Sequence, residues 1–272
     1  MISILMSVYK NDNIEHFKCA IFSVLNQTKL PRQVVLVCDG PLSSEYYQEI
    51  DFYKEEFLAL GVKFSLVKLD DNVGLGLALK EGVKFCEEKY VLRMDSDDIS
   101  RANRIAVVED FIRDQPEVDG FGTHIEEFVD SAGDLGRFRK VPLSAVDIAI
   151  YGKKRNPMNH VTMCIKKDAL VNVGSYESVL YHEDYFLWVK MIMAGCKLKN
   201  LDECLVDVRV GNDLIGRRIG FGYFKLEYLF AKRCFNIGYF SLFDFGRYLL
   251  PRSIIRILPK SILNKIYGQL RV

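Results

Sequence analysis

Apolar positions along the chain follow two alternating rhythms. Residues 2–9 form a run dominated by apolar side chains, the pattern of a strand buried on both faces. Residues 34–38, 62–69 and 90–94 repeat it. Between these runs the spacing changes to that of helices. Ile14, Phe17, Ile21, Val24 and Leu25 share one helical side, and Asp12-Asn13-Ile14-Glu15 ahead of them has the form of a capping box. A second helix from about Ser44 buries Tyr46, Ile50, Tyr53, Phe57 and Leu60. A third spans residues 74–88. Strands alternating with helices predict a parallel sheet with right-handed crossovers, an α/β layer of the nucleotide-binding kind.

After Pro116 the rhythm changes. Residues 121–129 and 136–141 read as strands on either side of the turn Asp130-Ser131-Ala132-Gly133. Ser144 caps a short helix. Asn156-Pro157-Met158-Asn159-His160 is a loop, with a strand over residues 161–165. Tyr181-His182-Glu183-Asp184 leads into an amphipathic helix carrying Phe186, Leu187, Met191 and Ile192, and residues 198–210 contain a further strand. From Gly220 onward the pattern is helical and aromatic-rich. No internal repeat or low-complexity linker interrupts it. The chain divides into one unit over residues 1–210 and an extension over residues 211–272.

Two strands of the first half end in acids, at Asp39 and at Asp95-Ser96-Asp97-Asp98. In open α/β sheets, ligands bind beyond the carboxyl ends of the strands. Clustered carboxylates repel one another unless a cation lies among them. A hard divalent ion held by one or two carboxylates and completed by phosphate oxygens is the usual arrangement. Asp95 and Asp97 are therefore candidates to hold a metal–diphosphate; a solvated loop or a helix N-terminus is the other reading of the same acids. A calcium loop of the EF-hand type is excluded, because its sixth and twelfth positions fall on Ser100 and Ala106. Gly74-Leu75-Gly76 lacks the third glycine of a dinucleotide fingerprint, since position 79 is Leu. No P-loop, esterase elbow or zinc-protease motif occurs. Glu183 and Asp184 form a second acidic site, either a helix cap or a general base. His160 and its neighbouring amides stand either in a ligand-binding loop or in a surface turn. Arg209, Arg217 and Arg218 either close over a phosphate or form a solvated basic loop.

Composition adds three points. Hydrophobic residues at 49% and charged residues at 27% describe an ordinary globular protein long enough for one large domain. Seven cysteines without a C-x-x-C pair read as reduced core thiols rather than a disulfide framework or a zinc site. The N-terminal residues enter a strand pattern without a basic leader, and no apolar run is long enough to span a membrane. Net charge of +1 conceals an asymmetry. Residues 209–272 hold twelve Lys/Arg and three Asp/Glu, so the body is acidic and the tail basic, which fits an anionic partner near the tail.

Taken together the motifs resemble family 2 glycosyltransferases. The resemblance rests on Ile4-Leu5-Met6-Ser7-Val8-Tyr9, Ser23-Val24-Leu25-Asn26-Gln27-Thr28, Val35-Leu36-Val37-Cys38-Asp39-Gly40, Asn72-Val73-Gly74-Leu75-Gly76 and Arg93-Met94-Asp95-Ser96-Asp97-Asp98. Asn156-Pro157-Met158-Asn159-His160 and His182-Glu183-Asp184-Tyr185 extend it toward the bacterial O-antigen and exopolysaccharide branch. It covers about residues 1–210. It implies a GT-A fold, a nucleotide-sugar donor, Mn²⁺ or Mg²⁺, and inversion at the transferred sugar. Carried over by position, Ser7 and Tyr9 lie beside the nucleoside, Asp39 on the uracil or ribose side, Asp95 at ribose and metal, and Asp97 on the metal. Arg93 and His160 are further donor-site candidates. Asp184, with Glu183 beside it, is the implied acceptor-activating base. The chain departs from many relatives at Leu79, followed by Lys80, where they carry an Arg.

The chemistry suits these residues. Glycosyl transfer passes through oxocarbenium-like charge. A metal neutralises the leaving diphosphate, and a base on the opposite face gives direct displacement. The implied partners are a UDP-hexose (galactose or glucose) and a polyprenyl-diphosphate-linked N-acetylhexosamine, with no nucleic acid. The segment 247–271 carries six Lys/Arg and no acid among many Leu and Ile, with Pro251 and Pro259 expected to break it into short amphipathic pieces. Such pieces lie on anionic membranes, so peripheral association with the cytoplasmic face of the bacterial inner membrane is expected; packing against the body or a partner subunit is the alternative. A sugar nucleotidyltransferase and a non-catalytic sugar-nucleotide-binding protein are the competing functional readings.

Overall fold

The computed structural model describes residues 1–211 and 220–257. Strands β1 (Ile2–Val8), β2 (Gln33–Cys38), β3 (Lys63–Lys68) and β4 (Tyr90–Arg93) are parallel and lie in the order β3-β2-β1-β4. Every residue of β1, β2 and β4 is buried, as their predominantly apolar runs predict, and the polar Ser3, Ser7, Gln33 and Arg93 are buried with them. Helices α1 (Ile14–Leu25), α2 (Ser44–Ala59) and α3 (Leu75–Phe85) connect them. The sheet continues past β4 through β8 (Cys164–Lys166), β6 (Gly120–Phe128), β9 (Leu198–Arg209) and β5 (Ile99–Ser100), with β7 (Arg137–Arg139) on β6. In this half the pairing is mixed: β8 runs antiparallel to β4 and β6, whereas β6 and β9 are parallel with register shifts near His124.

Several local expectations change. Asn13, not Asp12, caps α1: its side chain accepts from the amides of Glu15 and His16. Leu60 ends α2 exposed rather than buried. The segment expected as a strand over 161–165 opens as a 3₁₀ turn, His160–Thr162, before β8. Two helices escaped the sequence reading, α4 (Arg104–Asp114) and α6 (Lys167–Asn172). In α4 the apolar spacing Ile105, Val108, Ile112 was available as a signal; α6 buries only Leu170.

Helix α5 (Ala145–Tyr151) is capped by Ser144, as expected. Helix α7 (Glu183–Met193) is apolar nearly all round, which requires burial on two sides. One side, with Leu187, Trp188 and Met191, joins the core under α3 and the sheet. The other, with Tyr185, Phe186 and Val189, is covered by a helical hairpin, α8 (Phe221–Asn236) and α9 (Leu242–Ile257), through Phe230, Ala231, Tyr248 and Leu249. Pro251 lies inside α9 and does not end it. Pro259, Arg217 and Arg218 lie outside the described residues. The hairpin is also tied to the end of α5, where Lys153 donates to Asp244 at 2.8 Å and Arg252 to the Lys154 carbonyl at 2.9 Å.

Helix α3 sits close on the parallel strands because Gly82 has no side chain. A Cβ there would stand 2.5 Å from Leu5 Cδ1 and 2.7 Å from Val37 Cγ2. Both neighbours are fully buried strand residues with no room to yield. Gly82→Val is therefore expected to destabilise the protein by about 1–3 kcal/mol through overpacking, despite a small gain in helix propensity. The urea midpoint of unfolding measures this; an unchanged midpoint would mean that α3 shifts on the sheet without cost.

Candidate active site

The carboxyl ends of β1, β2 and β4 form one edge, held in register by the Met94 amide on the Leu5 carbonyl at 3.1 Å and the Asp39 amide on the Val8 carbonyl at 2.8 Å. Ser7, Tyr9, Asp39, Arg93, Asp95 and Asp97 all fall at this edge. Ser7 is buried and Tyr9 exposed. Asp39 is buried and accepts from the Val73 amide at 2.7 Å, the Gly74 amide at 3.1 Å and the Asn72 side chain at 3.1 Å. The end of β2 is thereby fastened to the turn that opens α3.

Arg93 is fully buried and donates to the Leu5 carbonyl at 2.9 Å, to the Met94 carbonyl and to Asp95 Oδ1. It orients Asp95 and compensates its charge. Arg104, at the start of α4, is the second buried guanidinium. It donates to the carbonyls of Arg93 at 2.7 Å and Val161 at 2.9 Å, and burial pushes its pKa down to about 10. The acids that follow alternate in role. Ser96 donates to Asp12 at 2.8 Å, and buried Asp98 accepts from the Arg209 amide at 2.8 Å. Asp97 is half-buried; Arg209 Nε donates to its main-chain carbonyl at 3.2 Å, while its carboxylate takes no donor from another described residue. Burial, then the charges of Asp95 and Asp12, push its pKa up to about 6. Burial, then the charges of Asp97 and Asp95, push Asp98 well above the usual carboxylate range.

This donor set fits a hard divalent cation. It offers carboxylate oxygens only, and among the described residues no side chain donates to the Asp97 carboxylate, which only the nearby charge of Arg209 offsets. Leu79 is buried in the core and Lys80 points to solvent. Neither supplies a positive charge to the donor site; the cations beside the acidic loop are Arg93 and Arg209. A different group, Glu126, Cys204 and Asp207, also comes together, but Arg101 already occupies it by donating to both carboxylates.

Glu183 and Asp184 start α7 on the far side of a neutral pair. His160 Nε2 lies 3.0 Å from the buried Tyr176 hydroxyl. Burial, reinforced by Arg93, pushes the His160 pKa down to about 4, while Asp184 and Asp95 both pull it upward. His160 therefore stands neutral between the two acidic sites. Asp184 Oδ2 accepts from the Asn156 side chain at 2.6 Å, so the Asn156 loop positions it. Glu183 is used differently. A Cβ on Gly76 would lie 2.7 Å from Glu183 Cγ, so the first turn of α3 rests against its stem, and burial raises its pKa. Asp12, Arg104, Tyr176 and Asn156 were not singled out individually from the sequence as site members. Each acts through a contact distant in sequence.

The architecture is that of a GT-A-type transferase, with a nucleotide-binding α/β half and a mixed half carrying the second acidic site. Residues 3–179 match the family described as glycosyl transferase family 2. The chain is 35% identical over 266 residues to a UDP-Gal:alpha-D-GlcNAc-diphosphoundecaprenol beta-1,3-galactosyltransferase of Escherichia coli, covering 97% of this chain and 94% of that one. It is 32% identical to the amylovoran biosynthesis glycosyltransferase AmsE of Erwinia amylovora, covering 98% of each. The mannosyltransferase PcManGT of Pyrobaculum calidifontis, solved with GDP-Man and Mn²⁺, superposes with a TM-score of 0.63 at 14% identity, over 99% of this chain and 79% of that one. The chain belongs to glycosyl transferase family 2 and is a glycosyltransferase.

The neutral His160, largely surrounded by protein though partly exposed, has a consequence for stability. The unfolded chain binds a proton at this histidine below about pH 6.5, whereas the folded chain does so only near pH 4. Its contribution therefore lowers stability as pH falls from 6.5 toward 4. His160→Gln is expected to flatten that part of the pH–stability curve, measured by urea unfolding at pH 7, 6, 5 and 4. Curves of equal slope would place the imidazole in contact with solvent.

Proposed function

We propose that the protein transfers a hexose, galactose or glucose, from a UDP-sugar to a polyprenyl-diphosphate-linked N-acetylhexosamine during surface-polysaccharide assembly. The observation that carries this is the pairing of two acidic sites across His160, one fit for a metal–diphosphate and one for a base. Full-length similarity to a galactosyltransferase named for UDP-Gal and a diphosphoundecaprenol acceptor supports the donor and acceptor classes. The amylovoran enzyme supports a place in polysaccharide synthesis.

In this reading Asp95 and Asp97 hold Mn²⁺ or Mg²⁺. When bound, the ion neutralises the leaving nucleoside diphosphate, so no acid is needed at that oxygen. Ser7, Tyr9 and Asp39 line the nucleoside side, with Arg93 setting Asp95 and His160 bordering the sugar. Asp184 takes the proton of the attacking hydroxyl onto its carboxylate while Asn156 holds the group in place. Asp184 is preferred over Glu183 because its charge acts on His160 and Tyr176, whereas the Glu183 stem packs under Gly76. Attack from the face opposite the diphosphate inverts the anomeric carbon.

Release of UDP from a panel of UDP-sugars, with and without a synthetic lipid-diphosphate-N-acetylhexosamine, tests the assignment. One donor is expected to turn over only with metal and acceptor, and Asp97→Ala and Asp184→Asn to lower kcat/KM by at least about 100-fold. Wild-type transfer by Asp184→Asn would remove the base role. Pyrophosphate release from a nucleoside triphosphate and a sugar phosphate, without transfer, would favour a nucleotidyltransferase.

We further propose that the 211–272 extension seats the enzyme on the cytoplasmic face of the inner membrane. No described helix is long and apolar enough to cross a membrane. The outer side of the α8–α9 hairpin exposes Phe221, Leu229, Leu242, Phe243, Leu250 and Ile254, and its exposed charges, Lys225, Lys232 and Arg247, are all basic. Its acids, Glu227 and Asp244, are buried. Such a face suits an anionic interface. Leu242→Glu with Phe243→Glu is expected to reduce flotation with liposomes containing anionic lipid several-fold while leaving solution thermal stability intact. Undiminished flotation would sink the membrane assignment of this face. Removal of residues 247–272 is the poorer test, since it strips buried Tyr248 and Leu249 from the core over α7.

A further inference from the structure

Asp12 has no part in the reading above, yet it joins two loops that do. Its Oδ2 accepts from the Tyr9 amide at 3.1 Å and from the Ser96 hydroxyl at 2.8 Å. The Asp12 amide returns to the Tyr9 carbonyl at 3.0 Å, which closes the turn after β1. From the other side the Tyr46 hydroxyl fixes the Asp12 carbonyl at 2.8 Å. The ladder bonds between β1 and β4 end at Leu5 and Met94. Beyond that point the Ser96–Asp12 bond spans the two loops.

A carboxylate is an expensive choice for such a bridge. Burial raises Asp12, Asp95 and Asp39 raise it further, and its own charge in turn raises Asp97. The bridge joins the Ser7–Tyr9 loop to the Asp95–Asp97 loop. On the reading above, these hold the two ends of one ligand, the nucleoside and the metal–diphosphate.

We propose that Asp12 is a positioning residue that, through Ser96, fixes the nucleoside loop at the spacing from Asp95 and Asp97 that a nucleoside diphosphate requires, and so couples nucleotide binding to divalent-metal binding. This rests on the assignment of the edge as a metal–nucleotide site. Asp12 touches neither reacting atom. It acts by making the two loops one rigid unit, so that metal bound at one loop finds the diphosphate delivered by the other already in place.

The test is calorimetric titration of UDP into the full chain with and without Mn²⁺. The ratio of the two dissociation constants is the coupling factor. Ser96→Ala and Asp12→Ala are expected to lower that factor about tenfold, the loss typical of a charge-assisted hydrogen bond, with UDP affinity in the absence of metal changed less than about twofold. The double variant is expected to lose no more than Asp12→Ala, because Ser96 acts only through its bond to Asp12. Asp12→Asn still accepts from the Tyr9 amide and can donate to Ser96 Oγ, so it is expected to retain most of the coupling. If Asp12→Ala does not fold, Ser96→Ala, which removes one hydroxyl, carries the test. An unchanged coupling factor in Ser96→Ala overturns the proposal. So does equal weakening of UDP with and without metal, which would show general loosening. So does Asp12→Asn behaving like Asp12→Ala, which would assign the effect to charge. A wild type that binds UDP equally with and without Mn²⁺ overturns the site assignment beneath the proposal, and the proposal with it.

Discussion

Five carboxylates meet where β1, β2 and β4 end, and the structure around them is arranged to make that tolerable. Like charges brought out of water repel strongly, so each group needs a donor or a cation. Asp39 takes the amides of the turn before α3, Asp95 takes Arg93, Asp12 takes Ser96 and Tyr9, and Asp98 takes the Arg209 amide. The Asp97 carboxylate alone takes no donor from another described residue and has only the nearby Arg209 charge to offset it, the condition that a bound cation would relieve. The contacts that satisfy the other four also lock the first turn of α3, the loop after β1 and the end of β9 to the same edge. Compensating the charge and building the site are thus one process.

The second acidic site depends on packing rather than on charge. Helix α7 is buried on both sides, against the sheet and against the α8–α9 hairpin. The hairpin therefore serves the body of the enzyme first: without Phe230, Tyr248 and Leu249 one face of the helix that carries Asp184 would be bare. Its outer face, apolar and basic, remains available for an interface. The two faces of the hairpin differ in chemistry, so packing over the helix that carries Asp184 leaves the other face exposed. Between the two acidic sites lies the hydrogen-bonded pair of His160 and Tyr176, with His160 held neutral by burial.

Much of this was legible in the amino-acid order. Buried parallel strands announce themselves as short apolar runs, and acids at their ends mark the sheet edge, so β1 to β4, Asp39, Asp95 and Asp97 were all readable. The motif set, from Ser7 to Asp184, identified the family. Local capping was less secure: Asn13 took the role that the box pattern offered to Asp12, because an amide oxygen two residues before Glu15 reaches the free helix amides directly. Pro251 was expected to end a helix. It stays inside α9, where Tyr248, Leu249 and the Arg252 contact to Tyr248 hold the backbone on either side.

By itself the sequence determined the elements whose signal is periodic and local, and the residue types available for chemistry. Only the tertiary structure decided which of those residues meet. Asp12 and Ser96 stand 84 positions apart, Asn156 and Asp184 stand 28 apart, and Arg104 reaches Val161 across 57. No periodicity encodes such pairs, because a hydrogen bond between distant segments is fixed by how sheet and helices pack, not by spacing along the chain. The division of labour among neighbouring acids arose the same way: identical carboxylates at Asp95, Asp97 and Asp98 differ only in which distant donor the fold brings to each.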